Sequence, residues 1–218
     1  MGADGGSLSK NYNLRLTIRE KASTEDSYDL QKLNSDSQWN FCRLSNKPLE
    51  LPIVSDYKGH LFNKDEIIRW LLDPEKQDYN VQQVEEFQHI QRLNDVVHLR
   101  NLRQIDETGA IHCKFGDDAF KASGSIRFVY LTPCGHVFPK NIICKTTESC
   151  PRCKNKITDG EIVTINPVSQ QDIDKLEDRY RAVTQKGLYH NGKKRKTKKT
   201  LKRKPEPTHE GDFKRTKP

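Results

Sequence analysis

Four residues able to ligate a metal ion fall close together in the chain. Cys134 and His136 flank Gly135, and after thirteen intervening residues Cys150 and Cys153 flank Pro151 and Arg152. Zinc takes four thiolate or imidazole ligands in a tetrahedron, and two pairs carried on separate turns supply that arrangement. Gly135 suits the tight turn within the first pair, because it lacks the Cβ that restricts other residues. The spacing predicts one Zn2+ held by Cys134, His136, Cys150 and Cys153. Such an ion would fix a loop-rich segment that has too few apolar groups to hold itself. Buried thiols and a stray histidine would be the metal-free alternative, and the paired spacing argues against it. The opening residues, Met1 to Ser7, contain no apolar run of a secretory signal, so a reducing compartment is expected and disulfides are not. Cys144 is out of register and reads as a small buried hydrophobe, and Cys113 as a core thiol beside the site. No Ser/His/Asp set, phosphate-binding glycine loop or paired-carboxylate cleft is apparent, so no catalytic residue is assigned.

The second chemical signal is basic charge. The 218 residues carry a net charge of +8, but residues 191–218 alone hold 12 Lys/Arg and 3 Asp/Glu, which leaves 1–190 at −1. Lys193, Lys194, Arg195 and Lys196, then Lys202, Arg203 and Lys204, read as a nuclear localisation signal and as phosphate contacts. The body shows no basic strip interleaved with aromatics. The chain is 33% hydrophobic and 31% charged, with mean hydropathy −0.89. No window approaches the roughly 18 consecutive apolar residues of a membrane helix.

The elements that must position these groups are short. Residues 1–37 read as an extended N-terminal arm, and Asp4-Gly5-Gly6 within it offers almost no side chain for a core. Residues 38–73 form a first module of loops and strands. Within it Asn63 and Glu66 suggest a capping box, and Ile67, Ile68, Leu71 and Leu72 an apolar helical face that stops before Pro74. Residues 74–110 read as a polar linker. Residues 111–168 form a second module, with strand alternation over Ile126, Phe128 and Tyr130 leading into Cys134, and a short strand at Ile162–Ile165. Ile173, Leu176, Tyr180 and Val183 predict a helix over 169–186. Residues 187–218 read as a basic disordered tail. The class is α+β.

The ligand grammar of 111–168 resembles a RING finger that keeps its second zinc site and has lost its first. The position three residues after Cys113 holds Gly116, and the next expected ligand position after His136 holds Pro139. Residues 38–73 resemble a U-box, the same scaffold without metal, since Cys42 and His60 are too few to make a site. Asp56 and Lys64 are candidate charges bridging in place of the ion. Trp39-x-x-Cys42-x-Leu44-Ser45, Pro52-Ile53-Val54, Gly59-x-Leu61-Phe62-Asn63-Lys64, His89-Ile90, Asp95-Val96 and Pro133-Cys134-Gly135-His136-Val137-Phe138 follow the opening Met1-Gly2-x-Asp4-Gly5-Gly6-Ser7. Together they resemble the replication termination factor 2 family over about 1–168. That family usually has Cys-Pro where Cys113-Lys114 stands here.

The resemblance implies a nuclear protein acting at paused or terminating replication forks, in a family with members also linked to pre-mRNA splicing. It further implies a finger akin to those of ubiquitin and SUMO ligases, in which Pro151 would contact a conjugating enzyme. With Lys114 and Phe115 in place of the usual contact loop, an adaptor is expected rather than an enzyme. Its expected partner is a large nuclear protein or ribonucleoprotein assembly, with nucleic acid on the tail, and neither a membrane nor a small-molecule substrate.

Overall fold

Three small antiparallel sheets and five helices make up the described part of the chain, residues 33–104, 109–143 and 148–195 of the computed structural model. Helix α1 covers 33–40. The first sheet contains β1 (Ile53–Ser55), β2 (Leu61–Asn63) and β3 (Val97–His98), in the order β2-β1-β3. Val54 stands opposite Phe62 on one side and His98 on the other. The second sheet is β4 (Leu102–Gln104), β5 (Ile111–Phe115) and β6 (Asp118–Lys121), with β5 central. The third is β7 (Phe128–Leu131), β8 (Val137–Pro139) and β9 (Ile162–Thr164), with β7 central. Helices α2 (Lys64–Leu72), α3 (Val81–Phe87), α4 (Lys140–Ile143) and α5 (Gln170–Gln185) complete the α+β architecture.

Two of the central strands, β1 and β7, are short and covered on both faces, whereas β5 alternates between buried and half-buried residues at its start. All four residues of β7 and all three of β1 are buried, the pattern of an interior strand rather than an alternating one. One apolar core runs from Trp39, Phe62 and Trp70 through Val97 and Leu99 to Phe128, Tyr130, Val163 and Leu176. Trp39 meets Phe128 edge-on at 5.2 Å, and Phe62 meets Phe87 at 5.4 Å. The segment read as a polar linker makes this continuity possible. It contributes β3 to the first sheet and β4 to the second, and it buries Phe87 and Ile90. Its apolar positions show no sustained helical or strand periodicity; Val96, Val97, Leu99 and Leu102 are buried as well, whereas Val81 and Leu93 stay exposed.

Local chemistry departs from the sequence reading at several points. Asn63 stands at the start of α2 without capping it. Its side chain accepts from the Glu50 N–H and donates to the Pro48 carbonyl, tying down the cis-proline turn instead. Glu66 answers Lys47 and Arg69 rather than the cap. The buried face of α2 is Ile67 and Trp70, whereas Ile68 is 37% and Leu72 75% exposed. Asn80 and Gln83, read as part of a solvated connector, form the capping box that starts α3.

Both ends of the described chain are more ordered than composition suggests. Residues 33–37, expected as part of an extended arm, are helical, and Asp36 accepts from the Gly124 N–H at 2.7 Å. Residues 187–195, expected in the disordered tail, form a hairpin in which Leu188 bridges Lys194. The reason is aromatic and polar burial that a charge count overlooks. Tyr189 is 7% and His190 1% exposed. The Tyr189 hydroxyl accepts from Arg92 at 2.7 Å, and Asn191 donates to Asn94. Residues 1–32, Cys144, Lys196, Lys202, Arg203 and Lys204 lie outside the described residues.

Candidate metal centre

The Cys134–His136 pair sits on the tight turn between β7 and β8, and the Cys150–Cys153 pair on a knuckle beyond α4. Gly135 has φ +70°, and a Cβ there would overlap the His98 carbonyl oxygen. The turn is pinned from the first sheet's side, since the Arg100 N–H donates to the Gly135 carbonyl at 2.7 Å. The knuckle closes on itself, with the Cys150 N–H to the Asn155 carbonyl at 2.7 Å and the Lys154 N–H to the Cys150 carbonyl at 2.8 Å. Lys154 adopts φ +61°, which completes the reversal.

These turns bring one ligand atom from each of the four residues to within 4.8 Å of every other. Cys134 Sγ lies 3.8 Å from Cys150 Sγ, which in turn lies 3.5 Å from His136 Nδ1. Tetrahedral zinc, with Zn–S of about 2.3 Å and Zn–N of about 2.0 Å, separates sulfurs by about 3.8 Å and sulfur from nitrogen by about 3.5 Å. The donor set and its spacing therefore fit a single zinc, and the ion would supply structural cross-linking rather than chemistry. Cys150 and His136 are buried, Cys134 is half-buried and Cys153 exposed. Burial, with the Cys150 thiol next to it, pushes the Cys134 thiol up to about 12. Burial, Arg152 and Arg100 hold the His136 imidazole below its ordinary value. A cation among these groups displaces the thiol protons, so its binding releases protons and strengthens with pH.

Around the cluster stands one residue, Asn101, that sequence inspection did not single out. Asn101, at φ +56°, accepts from the Val137 N–H at 2.9 Å and donates to the Val137 carbonyl at 2.8 Å and to the Lys114 carbonyl at 3.1 Å. It locks β8 and β5 to the chain leaving β3, which fixes the residue after His136. Asn in a left-handed conformation was the available signal. Cys113 is fully buried, its thiol donates to the Val137 carbonyl at 3.2 Å, and burial raises it to about 11. It is a core thiol, not a member of the cluster. Pro151 lies half-buried on the knuckle. Next to it Arg152 reaches the Lys114 carbonyl at 3.4 Å, and Phe115 packs edge-on to Phe138 at 5.6 Å.

In the first module a buried carboxylate occupies the position of interest. Asp56 is fully buried and accepts from the His60 N–H at 2.9 Å and from His89 Nε2 at 3.0 Å, with His60 Nδ1 at 3.4 Å. These two imidazoles outweigh burial and hold its carboxyl well below the usual range. Asp56 thus bridges as expected, whereas Lys64 has no acidic partner among the described residues. Cys42 is buried, and its sulfur accepts from the Asn63 N–H at 3.3 Å. Tyr130 links this centre to the C-terminal hairpin. Its hydroxyl donates to the Asp56 carbonyl at 2.7 Å and accepts from His190 Nε2 at 2.7 Å, while Arg179 donates to His190 Nδ1 at 2.9 Å.

A family model described as Rtf2 RING-finger matches residues 1–217. The chain is 30% identical over 173 residues to splicing factor rtf2 of Schizosaccharomyces pombe, covering 78% of this chain and 68% of that protein. It is 27% identical over 194 residues to replication termination factor 2 of Gallus gallus and 26% over 195 residues to that of Homo sapiens. In both cases 82% of this chain is covered, and the match spans 60% of the vertebrate protein. With the family model reaching from end to end and the paired-turn Cys/His cluster in place, the chain belongs to the Rtf2 RING-finger family.

Proposed function

We propose that the chain is a zinc-stabilised nuclear adaptor of the replication termination factor 2 type, acting at paused or terminating replication forks. The observation that carries this reading is structural continuity. The strands that hold the cluster turn share one core with the metal-free module, in which Tyr130 and Val137 join Ile53, Phe62 and Trp70. Cys150 and Cys134 pack on a smaller cluster with Val129, Leu131 and Phe138, and among the described residues there is no catalytic constellation. The names of the vertebrate relatives direct the adaptor to replication termination. The name of the fission-yeast relative supports a second reading, a spliceosome-associated role. Ligase-like activity has less support. Lys114 stands within β5, its carbonyl engaged by Asn101 and Arg152, so only Pro151 remains as a contact of the expected kind.

Affinity purification of the full chain from nuclear extract, with and without nuclease, tests the assignment. Fork proteins retained after nuclease treatment are the expected result, and recovery confined to splicing ribonucleoproteins would replace the fork by the spliceosome. Cys150→Ser should take bound zinc from one equivalent to none and abolish recovery, because the knuckle loses its buried ligand. Ubiquitin or SUMO chain formation by the purified chain, lost on Pro151→Ala, would overturn the adaptor reading.

A further inference from the structure

Lys64 opens α2, His98 ends β3, Arg100 follows two residues later, and Lys193 lies on the C-terminal hairpin. Drawn from three separate segments, these residues line one groove of about 270 Å³ beside the Cys134–Gly135 turn, together with Asn94 and Asn191. No carboxylate lines it. None of the four basic residues has an acidic partner among the described residues. Asp95, on the adjoining turn, is buried and accepts from the backbone N–H groups of Gln91 and Arg92. Partial burial, then the charges of Lys64 and Arg100, hold the His98 imidazole below its ordinary value. The near-neutral charge of residues 1–190 conceals the contribution of Lys64, His98 and Arg100.

Cations gathered without counter-charges suit phosphates, whose binding is driven by released counterions. The groove has the size of a nucleotide and is too small for a duplex. The hairpin leads from Lys193 through Lys194 and Arg195 into the basic run of the tail, so a strand leaving the groove meets further positive charge. The exposed His98 ring offers a face for an unstacked base. Asn94 accepts from Asn191 through Oδ1, leaving its amide nitrogen without an acceptor among the described residues and suited to a ribose hydroxyl. We infer that this groove binds single-stranded RNA, with Lys64, Arg100 and Lys193 on phosphates, His98 against a base and Asn94 on a 2′-hydroxyl. The inference goes beyond the adaptor reading and stands on charge and shape, so either can fail without the other.

The test measures anisotropy of a labelled oligouridine with the full zinc-loaded chain across a salt series. Lys64→Ala with Arg100→Ala should reduce the slope of log affinity against log salt by about 1.4 and weaken binding roughly 20-fold at about 0.1 M salt. Lys121→Ala with Lys175→Ala, exposed positions outside the groove, removes the same charge and should leave binding within about twofold. Equal losses in the two variants would overturn the site and leave only the tail. A deoxyribose strand of matched length should bind several-fold more weakly, and equal binding would overturn the assignment to RNA. So would an acidic peptide that displaces the RNA with comparable affinity. In the unmutated chain, RNA should shift the His98 ring resonances, and their failure to move at saturation would sink the proposal independently of any variant's folding.

Discussion

Gly135 does two things that no other residue type does at once. It holds a left-handed backbone between Cys134 and His136, and it lets the His98 carbonyl approach to where a Cβ would stand. Gly116 also has positive φ, at +60°, but nothing lies within 4 Å of its absent Cβ. The pair separates backbone strain from contact. Gly116→Ala should cost about 1 kcal/mol, the ordinary penalty for a side chain in that conformation. Gly135→Ala should cost about 3 kcal/mol or more, because the seam between the zinc turn and β3 must open as well. Chemical unfolding with zinc held in excess reads the difference. Equal costs would mean that the close approach to His98 carries no energy. The clustering of Cys134, His136, Cys150 and Cys153 was readable from spacing, because soft donors set in two close pairs suit a tetrahedral metal ion. Asn101 was not, since a lone Asn announces a possible turn but not the three backbone groups that it joins.

At the scale of elements, strands and helices with a strong local signal lie where the periodicity placed them. The strand through Phe128 and Tyr130, the strand at Ile162 and the helix from Gln170 are examples. The elements that escaped were those decided by tertiary contact. β3 and β4 are two and three residues long, too short for any alternation to show, and they form because their edges meet β1 and β5. The C-terminal hairpin was hidden by neighbouring lysines, although Tyr189 and His190 carry its burial. Its energetic weight follows from its partners. Ending the chain after Arg195 keeps all of these contacts and should leave the melting temperature within about 1 °C. Ending it after Gly187 removes the buried Tyr189 and His190 and leaves the Tyr130 hydroxyl without a donor. That should cost about 2–4 kcal/mol, or roughly 5–15 °C for a chain of this size. Coincident melting of the two truncations would show that the hairpin rests on the body without stabilising it.

On the scale of the whole molecule, the Asp56–Tyr130–His190–Arg179 chain of contacts ties the first module, the central strand of the third sheet and the C-terminal helix together. Its hydrogen-bond pattern requires a neutral His190, with Nε2–H given to Tyr130 and Nδ1 receiving from Arg179. Burial and the Arg179 charge push this imidazole down to about 3, helped by His89 and opposed by Asp56. The unfolded chain binds a proton at His190 near pH 6.5, so the native state keeps its full advantage above that value. The advantage is lost as pH falls from about 6.5 towards 3. Asp56, also depressed, adds its own loss only below its unfolded value of 3.8. Between about pH 6.5 and 4, therefore, His190 acts without Asp56, although the depressed His98 and His136 imidazoles, and the release of any metal held by the Cys/His cluster, would contribute slopes of the same sign. His190→Gln isolates the imidazole, because an amide can accept from Arg179 and donate to Tyr130 but does not titrate. The variant should be about 1–3 kcal/mol less stable at pH 7.5, from imperfect replacement of buried hydrogen bonds. Its unfolding free energy should then fall less steeply than that of the unmodified chain, by about 1.4 kcal/mol per pH unit between pH 6 and 4.5. Urea titrations at matched free zinc measure both quantities. Parallel slopes for the two proteins would show that His190 titrates alike folded and unfolded.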